Sequence, residues 1–303
     1  MSKQLPAAST SDTSNAGRGA SKDAPPVLEA RGIVKELGQG AGMVVAVKGV
    51  DITLKAGELT LLMGPSGSGK TTLLSILGCI LSPTSGTVSI DGTPTAGLKP
   101  EALAKLRRTH IGYIFQSYNL FPTLNALENV RIALDVAGIQ GTTAVAKAEQ
   151  ALRDVGLGHK FASYPANLSG GEKQRVAVAR AIASAPSIVL ADEPTAALDS
   201  ENGNAVMKLI AEIARVQNRA ILVVTHDPRT LGYADRIIKI EDGLIVSEER
   251  TTKSQATELK GATPLPDAEA AAKRRRKPIA ERTPEPVASE ILNDLIQKRK
   301  SNA

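Results

Sequence analysis

The densest set of anion-binding groups in this chain is Gly64-Pro65-Ser66-Gly67-Ser68-Gly69-Lys70-Thr71. It follows an apolar run, Leu59–Met63, and leads into Thr72–Gly78, whose apolar residues fall at helical spacing. A strand that breaks into glycines and restarts as a helix leaves backbone N–H groups without carbonyl partners. They gather at the positive end of the helix dipole, where a polyphosphate satisfies them. Glycine is expected at Gly64, Gly67 and Gly69 because a Cβ would block a positive-φ turn or the approach of a phosphate oxygen. Lys70 reaches toward the terminal phosphates, the Thr71 hydroxyl suits Mg²⁺, and Thr72 continues the helix start.

Two more apolar runs end in chemically useful side chains. Ser187–Ala191 runs into Asp192-Glu193, and Ala220–Thr225 into His226-Asp227. In an open α/β sheet ligands bind at the carboxyl ends of the strands, so all three ends should share one crevice. Asp192 suits Mg²⁺, which prefers few carboxylates, waters and substrate phosphates. Glu193 can take a proton from an attacking water or orient it, a role worth about 10²–10⁴ in rate. His226 reads either as a γ-phosphate contact or as a satisfied strand end, and the neighbouring motifs favour the first, whereas His110 and His159 lack such neighbours and read as structural. Leu168-Ser169-Gly170-Gly171-Glu172 opens a second glycine-rich helix entry. Ser169 can cap that helix, and the exposed N–H groups make a second anion site. Two such sites mean either two ligands or one ligand held between two copies.

The elements that must position these groups are legible from periodicity. Strands are expected at 27–34, 44–54, 59–63, 86–92, 111–115, 187–191 and 220–225, with a closing hairpin at 236–240 and 244–247. Gly38–Gly42 turns between the first two. Helices are expected at 100–108, 123–137, 142–155, 170–183 and 201–216. The continuous apolar runs fit parallel strands buried on both faces and joined by helical crossovers. The fold class is therefore α/β, with a helical insertion over about 120–184. Residues 1–26 and 251–303 carry 8 of the 17 prolines and few large apolar side chains, so both are expected to be flexible extensions of a domain at 27–250. The tail contains Lys273-Arg-Arg-Arg-Lys277 and an amphipathic stretch expected to be helical at 289–299.

At 42% apolar and 22% charged, the composition is that of a soluble globular protein. The net charge of +6 sits mostly at the ends, with +4 in 251–303 and +1 in 1–26, so residues 27–250 are nearly neutral and nucleic acid is not an expected partner. The N-terminus lacks an apolar core and does not read as a secretory signal. No run approaches the length of a membrane span. The single cysteine, Cys79, excludes an internal disulfide and reads as a small buried thiol on the helix after the glycine loop.

The glycine loop, Gln116, Leu168–Arg175, Val189–Pro194, Ala197-Leu-Asp199 and His226 stand in the order of the ATP-binding cassette (ABC) ATPases, a family this chain resembles over about 27–250. The resemblance implies a P-loop fold with a mostly parallel core sheet, an antiparallel β subdomain and an inserted helical subdomain. It also implies ATP and Mg²⁺ as ligands. ATP would lie between the glycine loop of one copy and Leu168–Glu172 of another, with Asp199 across the dimer interface. By the same resemblance Gln116 joins Thr71 and Asp192 near the metal, Glu193 is the catalytic base and His226 contacts the γ-phosphate. His110–Gln116, Gly156–His159 and Tyr164–Ser169 resemble the branch of macrolide-efflux and lipoprotein-release ATPases, and Gly38-Gln39-Gly40 resembles the heterocyst-type glycolipid exporter ATPases. Such subunits serve a separate integral-membrane permease, often with a periplasmic adaptor, from the cytoplasmic face of the inner membrane. Export and mechanical signalling to cell-wall enzymes both stay open, because only the partner separates them.

One departure concerns the base. The family stacks adenine on an aromatic residue near the end of the first strand, where this chain has Val34–Gly38 and Leu37 as the nearest occupant. Of seven aromatics, Tyr113, Phe115, Tyr118 and Phe121 crowd around Gln116. Tyr113 and Phe115 read as strand core. Tyr118 and Phe121 read equally as core or as part of the groove where the family receives a permease helix.

Overall fold

The computed structural model describes residues 25–251. Residues 1–24 and 252–303 lie outside it, and with them the expected flexible ends, the Lys273–Lys277 run and the 289–299 helix.

The first sheet is antiparallel. Strand β1 (Leu28–Leu37) pairs with β2 (Val44–Leu54) on one side and with β4 (Ser85–Ile90) on the other, and β4 pairs with the short β5 (Thr93–Pro94). β1 runs three residues beyond the expected Val34, and Leu37 is its last residue, paired with Val44. That places two aliphatic side chains, rather than a turn, beside the glycine loop.

The second sheet has six strands, in the order β10 (Leu244–Arg250), β9 (Arg236–Glu241), β3 (Leu59–Met63), β8 (Ala220–Thr225), β7 (Ile188–Asp192) and β6 (Ile111–Ile114). From β9 to β6 every pairing is parallel, and only β10 runs against its neighbour. The apolar runs of β7 and β8 are continuous because both faces are covered. Ile188, Leu190, Leu222 and Val224 face one core, with α1 (Lys70–Leu77) and the antiparallel sheet. Val189, Ala191, Ile221 and Val223 face the other, shared with the helices at 126–136, 141–154, 170–182 and 200–216. One strand thus stitches two cores through the alternation of its side chains.

The helical part consists of α3 (Ala126–Val136), α4 (Gly141–Asp154) and α5 (Gly170–Ile182), packed on one another, with α5 also against β6 and α6 (Ser200–Val216). α3 begins at Ala126 rather than Thr123. Asn125 caps it in a reciprocal box with Glu128, and such a cap outweighs the apolar pattern upstream. Asn129, fully buried, accepts from Phe121 N at 2.8 Å and donates to Leu124 O at 2.8 Å, pinning the segment after β6 to this helix. α2 (Pro100–His110) closes the other side. His110 is structural as expected, its Nδ1 lying 2.6 Å from Asp91. Two expectations fail. Cys79 is a buried thiol as expected, but it sits past the end of α1 at φ +53°, where Gly78 has already stopped the helix. Phe115 lies beyond β6 and is 36% exposed, so it is not core, although its ring stacks on Tyr113 at 4.4 Å.

Candidate functional site

Met63 pairs with Thr225, and Asp192 with Val224, so β3, β7 and β8 stop together. Their common end is a crevice of about 850 Å³. It is lined by Pro65, Ser66, Gly67, Gly69, Lys70, Thr71 and Thr72 from the glycine loop and by Gln116, Asp192, Glu193 and His226 opposite. Leu37 and Val44 form its apolar end. The three strand ends read from the sequence therefore do meet.

Two residues of the loop lie beneath the crevice rather than on it. A Cβ at Gly64 would land on the Ile240 carbonyl of β9, and Gly64 lacks a positive φ. Its glycine is demanded by sheet packing, not by the turn or a phosphate oxygen. Ser68 is 2% exposed, and its carbonyl accepts from Gly243 N at 3.1 Å. Gly67 and Gly69 do have positive φ, +81° and +94°.

Lys70 is folded back along its own loop, donating to Gly64 O at 2.8 Å and Pro65 O at 2.6 Å. Burial pulls its pKa down, while the charges of Glu193 and Asp192 push it back up. Thr71 Oγ1 donates to Asp192 Oδ1 at 3.4 Å. Asp192 is the last residue of β7, not the first after it, and burial raises its pKa. The Thr71 bond and Lys70 oppose that rise, and the neighbouring Glu193 adds to it. Burial, helped by the charge of Asp192, also lifts Tyr113 to about 12. Hydroxyl, amide and a single half-buried carboxylate, from Thr71, Gln116 and Asp192, are the hard and sparse oxygen set that Mg²⁺ takes beside phosphate oxygens.

Glu193 turns off the strand at φ +48°, its N–H held by Val224 O at 2.9 Å. Non-glycine residues in that region are uncommon and gather at functional turns. The bend points the carboxylate along the crevice mouth, where Oε1 lies 2.7 Å from His226 Nδ1.

The second helix entry is elsewhere. None of Leu168, Ser169, Gly170, Gly171, Glu172 or Asp199 lines this crevice. Ser169 caps α5 in a box with Glu172: Ser169 Oγ accepts from Glu172 N at 3.2 Å, and Glu172 Oε2 accepts from Ser169 N at 2.8 Å. The second of these, the Ser169 N–H donated to the carboxylate, is the chief cause that holds the Glu172 pKa below the ordinary range. The box consumes two of the N–H groups counted as anion donors, leaving those of Gly170 and Gly171 in the first turn. A Cβ at Gly170 would come 3.3 Å from the Tyr118 hydroxyl, and one at Gly171 would meet the Asn202 carboxamide. Asp199 caps α6 by accepting from Asn202 N at 2.9 Å.

The sequence did not disclose how these turns are braced. Arg180 of α5 donates to Tyr118 O at 2.7 Å and to Asn119 O at 2.5 Å, holding two successive left-handed residues just after Gln116. Nothing in a helical pattern separates that arginine from a solvated one. Tyr118 is thereby half-buried against Gly170, while Phe121 stays 49% exposed.

A parallel sheet whose first strand breaks into a glycine loop and helix, with acids at the neighbouring strand ends, defines the P-loop nucleoside triphosphatases. The chain belongs, more narrowly, to the ABC transporter family as an ATP-binding cassette. The family's sequence profile matches residues 47–196. A solved dimeric bacterial ABC transporter cassette, also known in a post-hydrolysis state with ADP and Pi, is 40% identical. That match covers 74% of this chain and 98% of the cassette, with a TM-score of 0.68. The cbiO1 protein of Clostridium perfringens, part of an ABC transporter complex, aligns with the same TM-score, 0.68, at 27% identity over 77% of this chain and 92% of that one. Among curated relatives, the macrolide export ATP-binding/permease protein MacB of Rhodopseudomonas palustris is 41% identical over 78% of this chain and 36% of its own length. MacB of Bradyrhizobium diazoefficiens is 44% identical over 77% of this chain and 35% of its own. The chain thus spans about a third of the length of these curated relatives, and they fall in the macrolide-efflux branch that the motifs resemble.

Proposed function

We propose that residues 27–250, with 120–184 as the helical subdomain, form a cassette that hydrolyses MgATP as a dimer and powers export through an integral-membrane permease. The observation that carries this reading is the separation of the two helix entries. The glycine loop lies in the crevice with Glu193 and His226, while Leu168–Glu172 lies outside it. A second copy would bring its Ser169, Gly170 and Gly171 onto the open side of that crevice, with Asp199 at the seam. The post-hydrolysis dimer with ADP and Pi known for the similar cassette supports it.

The glycine-loop N–H groups and Lys70 grip the phosphates. Thr71, Gln116 and Asp192 would hold Mg²⁺, and the bound ion would supply positive charge against the phosphate oxygens. Glu193 takes the proton of the attacking water, and His226 donates to the γ-phosphate. Catalysis here is positioning and charge stabilisation, because the phosphoryl group passes through a loose transition state with little covalent chemistry for the protein to do.

Among the described residues no helix is long and apolar enough to cross a membrane. The relatives are named as export ATP-binding/permease proteins. On the family resemblance of the motifs, we assign the membrane-spanning part to a permease partner, place this cassette peripherally at the cytoplasmic face of the inner membrane, and read a periplasmic adaptor as a further component. A neighbouring reading frame for a four-helix permease beside a membrane-fusion adaptor supports efflux, and an isolated gene counts against it. The decisive biochemical test is Glu193→Gln. It should abolish phosphate release while trapping an ATP-bound dimer, and wild-type turnover by this variant would remove Glu193 from its role.

A further inference from the structure

Beyond the groups that face the nucleotide, one side chain fastens two of the proposed working turns together. Asp227 follows His226 and caps the turn at Pro228–Tyr233, accepting from Arg229 N at 2.9 Å. The Arg229 guanidinium grips the same carboxylate in a fork, Nε to Oδ1 at 2.9 Å and Nη2 to Oδ2 at 2.7 Å. Its remaining arm, Nη1, donates to Ser200 Oγ. Ser200 is the first residue of α6, directly after the cap Asp199. Asp199 is locked in turn by Asn202, whose Nδ2 donates to Oδ2 at 2.7 Å and whose carboxamide leaves no room for a side chain on Gly171. The space left between the two turns, lined by Ser200, Asp227 and Arg229, is about 10 Å³, no more than one water needs.

We infer that Arg229 is a positioning residue that ties the His226 turn to the Asp199 turn, so that γ-phosphate contact and dimer contact are made together. The guanidinium is 53% exposed, and an ion pair so open to water contributes little to stability. What a fork with a third, separately bonded arm does supply is geometry. If His226 shifts toward a γ-phosphate, Ser200 and with it Asp199 shift too, and contact at the seam feeds back on His226 by the same link. The inference rests on the dimeric reading above.

The test uses the full chain with Arg229→Met, Arg229→Lys and Ser200→Ala, each alone and with Glu193→Gln. Binding of MgATP to dilute monomer, sedimentation with MgATP, kcat and KM, and Tm are measured together. We expect Arg229→Met to leave monomer affinity and Tm unchanged. It should weaken ATP-driven dimerisation about five- to fiftyfold and lower kcat with little change in KM. Arg229→Lys, a point charge that serves one partner at a time, should fall between. Ser200→Ala should act in the same direction, and the double variant Arg229→Met/Ser200→Ala should be no worse than Arg229→Met, as for two ends of one link. Wild-type dimerisation and turnover by Arg229→Met overturn the inference. So does a parallel fall of Tm and monomer affinity, which would make Arg229 a local fold contact. If Glu193→Gln by itself stays monomeric with MgATP, the dimeric reading falls first and this inference goes with it, a result distinct from failure of the Arg229 variants alone.

Discussion

His226 Nδ1 lies 2.7 Å from Glu193 Oε1, a bond that joins the turns leaving β8 and β7. Engaging Nδ1 orients the ring and leaves Nε2 as the nitrogen that can face a ligand. It also fixes the carboxylate that would take the proton from water. The two side chains are one unit of geometry, although 33 residues separate them.

His226→Ala should therefore impair more than phosphate contact, because it also frees the Glu193 carboxylate. Phosphate release should fall about 10²–10⁴-fold, with nucleotide affinity retained. His226→Gln, which can still reach one partner, should recover part of the loss.

The apolar end of the crevice offers Leu37 and Val44 in place of a ring. An aliphatic surface covers a purine but forgoes about 0.5–1.5 kcal/mol of stacking. GTP and ATP should thus be turned over with comparable kcat/KM, and Leu37→Tyr should tighten ATP binding by roughly two- to tenfold. A hundredfold preference for ATP in the unaltered chain would refute this.

Glu172 gives a pH signature. Its folded pKa is depressed, chiefly by the Ser169 backbone bond. The ionised form is then favoured in the folded state, so its stabilising contribution is present above the unfolded value of 4.5 and is lost as pH falls through the folded value. Glu172→Gln should lower the urea midpoint at pH 7, and the gap from the unaltered chain should close as the pH is taken down through the carboxylate range.

Gly64 and Gly67 should respond differently to alanine. Gly64→Ala drives a methyl into the Ile240 carbonyl, an overpacking defect of about 1–3 kcal/mol, and should lower Tm and nucleotide affinity together. Gly67 has open space around it and only a positive φ to defend, costing about 1–2 kcal/mol. Denaturant melts of the two variants separate the mechanisms, since only the first disturbs β9.

Phe121→Ala is the cleaner probe of a permease groove. Tyr118 has its hydroxyl against Gly170, so its removal also loosens the α5 start, whereas Phe121 is about half exposed. Loss of transport with ATP binding intact in Phe121→Ala is the expected result, read in vesicles containing both subunits.

Much of the site could be read in the chain because its groups are local. A glycine loop between a strand and a helix, acids at the end of a buried strand, and a serine three residues before a glutamate each carry their geometry within a few positions. Glu193 and His226 were legible as strand ends. Their mutual bond was not, since it depends on β7 and β8 being neighbours in register. The α3 start was misplaced because apolar spacing extends through Thr123, and only the reciprocal bonds of Asn125 and Glu128 stop the helix there.

The sequence by itself determined the class of fold, the phosphate-binding loop and the identity of the polar groups, because backbone periodicity and short-range hydrogen bonding are set by neighbours along the chain. Only the tertiary structure decided that Gly64 answers to Ile240, that Arg180 holds the loop after Gln116, that Arg229 bridges Asp227 and Ser200, and that Leu168–Glu172 lies outside the crevice. The Arg229–Ser200 and Arg180–Tyr118 bonds span 29 and 62 residues, and a contact at such range follows from how sheets and helices stack, which no local pattern encodes.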